Sequence, residues 1–114
     1  MELVEKTVDS YPVVEICGRL TADCAAKIKT ELGRIIETSN VLILDLKDME
    51  YIDSTGLGAL VYIMQKLNET GGSLKLVNLT GKAKIVFEIT KAYKIFDIYD
   101  SVEAVLAGLN PQGA

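Results

Sequence analysis

The stretch Asp53-Ser54-Thr55-Gly56-Leu57-Gly58 concentrates side chains that can do chemistry: a carboxylate, two hydroxyls and two backbone-exposing glycines. An apolar run then continues to Met64. That pattern places the polar group where a helix begins. Helix N-termini carry unpaired N–H groups and a partial positive charge. A serine there either caps the helix with its own oxygen or bears a phosphate that those donors would receive. Each glycine inside a helix costs about 1 kcal/mol relative to alanine. Two in the first turns imply that another molecule, or another part of the chain, comes close to the backbone. The plainer alternative is a capping serine with glycines that relieve packing.

Much other chemistry is excluded. The chain of 114 residues has no histidine, which removes the commonest general base, the Ser-His and Cys-His pairs and most zinc sites. Cys17 and Cys24 fit no metal spacing and read as free thiols packed as small apolar groups. The segment LTGKAK hints at a phosphate loop, but that motif needs glycine at Leu76 and a hydroxyl residue at Ala83. The glycine pair at Gly56 and Gly58 begins a dinucleotide fingerprint whose third glycine is replaced by Val61. The sequence therefore predicts a non-enzymatic protein with no cofactor and no metal.

Charge and hydropathy narrow the partners. The net charge is −4, without a block of like charges, which argues against nucleic acid and against an anionic membrane surface. The longest apolar run, Leu57 to Met64, is interrupted by Gly58 and is too short to cross a bilayer. A cytoplasmic protein is expected.

The elements that must position Ser54 are legible as periodicities. Residues 2–8 and 13–17 read as a hairpin around a turn at 9–12. Residues 21–39 read as a helix with Ala25, Ile28, Leu32, Ile35 and Ile36 on one face, started by Thr21 or Asp23. Residues 41–46, VLILDL, form a strand buried on both faces, and 47–53 a connection. A helix follows to about Asn68, with Leu57, Leu60, Val61, Met64 and Leu67 as its inner face. Residues 73–78 are a strand, 81–93 a helix facing inward through Ile85, Val86, Ile89 and Tyr93, and 95–99 a strand. The last helix begins at a capping box formed by Asp100 and Glu103. The order β-β-α-β-α-β-α-β-α predicts an α/β fold with a mixed, largely parallel sheet and an N-terminal hairpin. One domain over 1–110 and a flexible tail over 111–114 are expected.

The segment VLILDLKDMEYIDSTGLGALVYI resembles the signature of the STAS domain, found in bacterial anti-sigma factor antagonists. The match is an apolar strand ending in Asp-Leu, a short loop with an apolar-Asp step, then D-S-[ST]-G-L-G opening a helix. Weaker likeness extends over the hairpin ending in GRL, over GGSLKLVN and over KIFDIYDSVEAVL. The resemblance implies a mixed sheet with about four helices mostly on one face. It implies a free-standing antagonist, a monomer or weak dimer, whose partner is an anti-sigma factor that is also a serine kinase. Phosphorylation of the serine after the motif aspartate, here Ser54, would break that partnership, and a PP2C-type phosphatase would restore it. Asp53, Thr55, Gly56 and Leu57 match the motif around that serine. Relatives usually place an aspartate directly after GRL; here Thr21 stands there, with Asp23 two positions later. Those two residues join the expected partner-binding set. The alternative within the same family is a subunit of a transporter or stress-signalling assembly.

Overall fold

The computed structural model describes residues 1–109; the expected tail, 111–114, lies outside the described residues. Six strands form one sheet: β1 (Glu2–Val8), β2 (Tyr11–Leu20), β3 (Val41–Asp45), β4 (Met49–Ile52), β5 (Ser73–Val77) and β6 (Asp97–Tyr99). Four helices accompany them: α1 (Ala25–Ile36), α2 (Ser54–Glu69), α3 (Gly81–Ile89) and α4 (Val102–Leu109). A 3-10 turn, Ala92–Lys94, separates α3 from β6.

The strand order is β1-β2-β3-β5-β6. β1 and β2 are antiparallel and all other pairings are parallel. β2 is long enough to pair twice on one edge, with β3 through Val13–Glu15 and with β4 through Gly18–Leu20. β4 was expected to be plain connection. Its apolar residues Met49 and Ile52 are buried, but Lys47, Asp48, Glu50 and Asp53 surround them and hide the strand pattern.

Alternation within the strands divides the core. Val14, Ile16, Leu42, Leu44, Leu74 and Leu76 point to the face covered by α1, α2 and α3. Val13, Ile43 and Val77 point to the other face, where Val105 of α4 covers them. β3 is thus buried on both sides, as its unbroken apolar run requires. Three helices lie on one face and one on the other.

Four helix details differ from the sequence expectation. α1 spans less than 21–39 and is not capped by Thr21 or Asp23; Cys24 precedes it without a side-chain cap bond. The backbone closes a tight turn instead, with Cys24 N–H donating to the Thr21 carbonyl at 3.0 Å. α2 turns its face slightly, burying Gly56, Ala59, Leu60, Ile63 and Leu67 and leaving Leu57, Val61 and Met64 at the margin. α3 ends at Ile89 and buries Ala83 and Phe87, leaving Ile85, Ile89 and Tyr93 outside. Small Ala83 lets the helix approach, and the Phe87 ring packs 5.7 Å from that of Phe96. At α4 it is Ser101 Oγ, not Asp100, that accepts the cap bond, from Ala104 N–H at 3.1 Å.

Candidate functional site

β4 delivers Asp53 and Ser54 to the carboxyl-terminal edge of the sheet, beside the end of β2. The sequence reading offered Ser54 as a cap of α2; the cap is Asp53. Its extended backbone turns the carboxylate back over the helix start, where Oδ1 accepts from Gly56 N–H at 2.7 Å. The Asp53 carbonyl accepts from Leu57 N–H at 2.9 Å. The second carboxylate oxygen, Oδ2, accepts from Ala22 N–H at 3.1 Å. The Asp53 N–H donates to the Leu20 carbonyl at 3.1 Å. One aspartate therefore ties α2 to the turn between β2 and α1.

Gly56 is the second tie. A Cβ at this position would collide with the Leu20 carbonyl and side chain. The close approach expected from the sequence is thus made by another part of this chain. Gly58 is different: a Cβ there meets no other atom of the chain within 4 Å, so no close approach within the chain requires it. Arg19 and Tyr51, paired across β2 and β4, stack with the guanidinium 4.6 Å from the ring centre and brace the base of the corner.

The structure brings all the sequence-selected residues to this corner. Thr21 and Asp23 lie in the turn tied through Ala22; Thr21 is half-buried and Asp23 exposed. Ser54 and Thr55 are exposed on the first turn of α2, Gly56 is buried beneath them and Leu57 is half-buried. Because Asp53 caps the helix, the Ser54 hydroxyl is spared that task. Leu20, Ala22, Arg19 and Tyr51 were not singled out. Ala22 and Leu20 act through backbone atoms, which residue type does not reveal. Tyr51 beside a strand ending in Gly-Arg-Leu was the one available signal.

The arrangement offers an exposed hydroxyl on a fixed helix start, with a carboxylate already engaged behind it. It supplies no acid-base pair and no activated nucleophile. A cluster of Glu15, Cys17 and Asp48 elsewhere puts one donor atom from each within 4.8 Å of the others. There, however, the Lys6 ammonium holds Glu15 at 2.7 Å, and burial pushes the Cys17 thiol pKa up. Of the three, Glu15 is ion-paired with Lys6 and Lys47, beside a half-buried thiol. No helix among the described residues is long and apolar enough to cross a membrane.

Comparison with known proteins agrees with the fold. The STAS domain family model matches residues 3–105. The chain is 38% identical over 85 residues to the anti-sigma-B factor antagonist of Bacillus subtilis, covering 75% of this chain and 78% of that one. It is 32% identical over 111 residues to the anti-sigma-B factor antagonist of Listeria monocytogenes, covering 96% of each. The Bacillus cell fate determinant SpoIIAA, solved in its phosphorylated form, superposes with a TM-score of 0.69 at 19% identity, over 91% of this chain and 96% of that one. That last likeness carries the fold alone. The STAS-domain antagonists are regulatory proteins and not enzymes, and this chain belongs to the STAS-domain family of anti-sigma factor antagonists.

Proposed function

We propose that the unphosphorylated protein binds an anti-sigma factor that is also a serine kinase, and so frees a sigma factor in the cytoplasm. Phosphorylation of Ser54 by that kinase switches the binding off, and a PP2C-type phosphatase switches it on again. The observation that carries this reading is the division of labour at α2. Asp53 takes the capping role through Gly56 N–H, and Ser54 stands exposed with its hydroxyl uncommitted. Relatives bearing the name anti-sigma-B factor antagonist support the partner class. SpoIIAA, which shares the fold, exists in a phosphorylated form.

The physics of the switch is local. A phosphoserine adds about −1.5 to −2 charges at pH 7. At the first position of α2 it meets the unpaired N–H groups of the helix start, which receive anions well. It also stands next to the Asp53 carboxylate, a like charge. The fold remains, while the surface presented to the kinase changes in charge and volume. Thr21, Asp23, Asp53, Thr55, Gly56 and Leu57, which share this corner, are the proposed contact set. Either Asp23, from the same turn, substitutes for the acid that the resemblance places at Thr21, or recognition by the kinase differs here.

The test is fragment mass spectrometry after incubation with ATP and an anti-sigma kinase from the same genome. One phosphate is expected on Ser54, absent in Ser54→Ala, with binding lost on modification. A phosphate on Thr55 alone would refute the assignment. No phosphate from any such kinase on a folded protein would favour the role of a subunit in a transporter or stress-signalling assembly.

A further inference from the structure

Residues 81–95, GKAKIVFEITKAYKI, carry four lysines against a single glutamate in a chain whose net charge is −4. The fold exposes the apolar residues of this segment. Ala83 and Phe87 hold α3 to the core, so Ile85 and Ile89 face solvent at 53% and 76% exposure. Beyond the 3-10 turn, Tyr93 and Ile95 follow at 48% and 55%. Of the six large hydrophobic residues exposed among the described residues, four lie in this one segment, which makes a patch rather than the usual scatter. Lys82, Lys84, Lys91 and Lys94 are exposed around it, and none forms an ion pair with a described residue.

A groove of about 970 Å³ opens beside the patch. Lys84, Glu88 and Tyr93 belong to both; the groove is further lined by Phe87, Phe96 and Tyr99 and by two carboxylates, Asp97, which pairs with Lys75, and Asp100. Its aromatic part takes apolar side chains as anchors, while its carboxylates leave the attraction of acidic groups to the lysines of the patch. The unpaired ammonium groups around the isoleucines complement carboxylates.

We propose that this face of α3 and the following turn is a second docking surface, built for an acidic segment of a partner protein that also carries apolar side chains. Two other occupants fit less well. A lipid surface is too flat to fill the groove. A second copy meeting the same face would set lysines against lysines, as an isologous contact requires. None of the residues involved belongs to the Ser54 corner, so this surface and the phosphorylation reading stand or fall separately.

The experiment is an NMR titration of the full ¹⁵N-labelled chain at low salt. The probe is a synthetic amphipathic Leu/Glu peptide of about 16 residues, long enough to become helical on binding. Its counterpart replaces every Glu by Lys. The acidic peptide is expected to shift amides across residues 80–97 and leave those of 53–57 in place. It should bind at least about tenfold tighter than the basic peptide, with Ile89→Ser and Lys84→Glu each weakening it about tenfold. Both substituted positions are exposed, and unchanged amide dispersion elsewhere confirms that the variants fold. Equal affinities, or no shifts on this face, would overturn the proposal. So would shifts there produced only by phosphatidylglycerol vesicles, or by raising the protein concentration alone.

Discussion

The Ser54 corner and the Ile89 face are both solvent-exposed, but opposite means hold them. At the corner, hydrogen bonds do the work: both Asp53 carboxylate oxygens accept backbone N–H groups, and Gly56 lies flush against Leu20. On the α3 face, apolar anchors do it: Ala83, Phe87 and Phe96 are buried, while Thr80 precedes the helix without a side-chain cap bond. Directional bonds fix atoms in place, and an apolar face tolerates small shifts. That rigidity suits the corner to the proposed switch, in which one added group changes recognition. The α3 face spreads its contribution over several side chains.

The largest expected effect breaks the comparison at the corner. Ser54→Asp should weaken kinase binding by about 3 kcal/mol, roughly a hundredfold in Kd, through like-charge placement in an interface. Calorimetry on wild type and variant measures it, and thermal melts should superpose. A Tm lowered in step with affinity would mean that the charge disturbs the fold rather than the surface.

The glycines come next, because one helix carries two of them in opposite circumstances. Gly56→Ala forces a methyl into Leu20 and should destabilise by about 1–3 kcal/mol. Gly58→Ala meets open space and should stabilise by up to about 1 kcal/mol through helix propensity. Urea denaturation of the pair reads both signs. Equal signs would show that the tight fit at Leu20 does not set the geometry of the corner.

Removing the tie itself is a smaller change. Asp53→Ala should cost about 1 kcal/mol, the usual worth of an N-cap. Its more telling effect is on hydrogen exchange. The amides of Ala22 and Gly56, on two different elements, should lose protection together, while amides on α3 keep theirs. Faster exchange at Gly56 alone would reduce Asp53 to an ordinary cap.

How far the sequence foretold these regions depends on which atoms do the holding. β3 was legible because a strand buried on both faces needs an unbroken apolar run, and VLILDL is one. At the corner, Ser54 and the glycines were legible from hydroxyl and glycine types, and the rest of the expected set came from the resemblance to the STAS signature. Their division of labour was not: adjacent Asp53 and Ser54 are both good caps, and only the backbone angles choose between them. β4 was missed because charged residues separate its apolar ones, and its pairing is with a strand distant in sequence. The α3 face was misassigned because two apolar rows run along that helix. Ala83 with Phe87, and Ile85 with Ile89, each show a four-residue repeat, and tertiary packing against Phe96 selects the first.

The smallest effect lies outside both regions and sharpens the contrast by leaving each untouched. The Lys6 ammonium hydrogen-bonds Glu15 at 2.7 Å, with Lys47 at 3.8 Å, across the hairpin and the turn after β3. The bond from Lys6 holds the Glu15 carboxyl below its ordinary value of 4.5, against the opposing push of burial. A carboxylate with a depressed folded pKa contributes stability that is present in full above the unfolded value. That contribution is lost as pH falls through the folded one. Glu15→Gln should therefore lower Tm slightly at pH 7, with the gap closing as pH drops below 4.5. Kinase binding at Ser54 and peptide binding at Ile89 should both be unchanged. A gap that stays constant through acid would mean that Glu15 acts by packing. A change at either surface would mean that the hairpin communicates with it, and that the two surfaces are not independent.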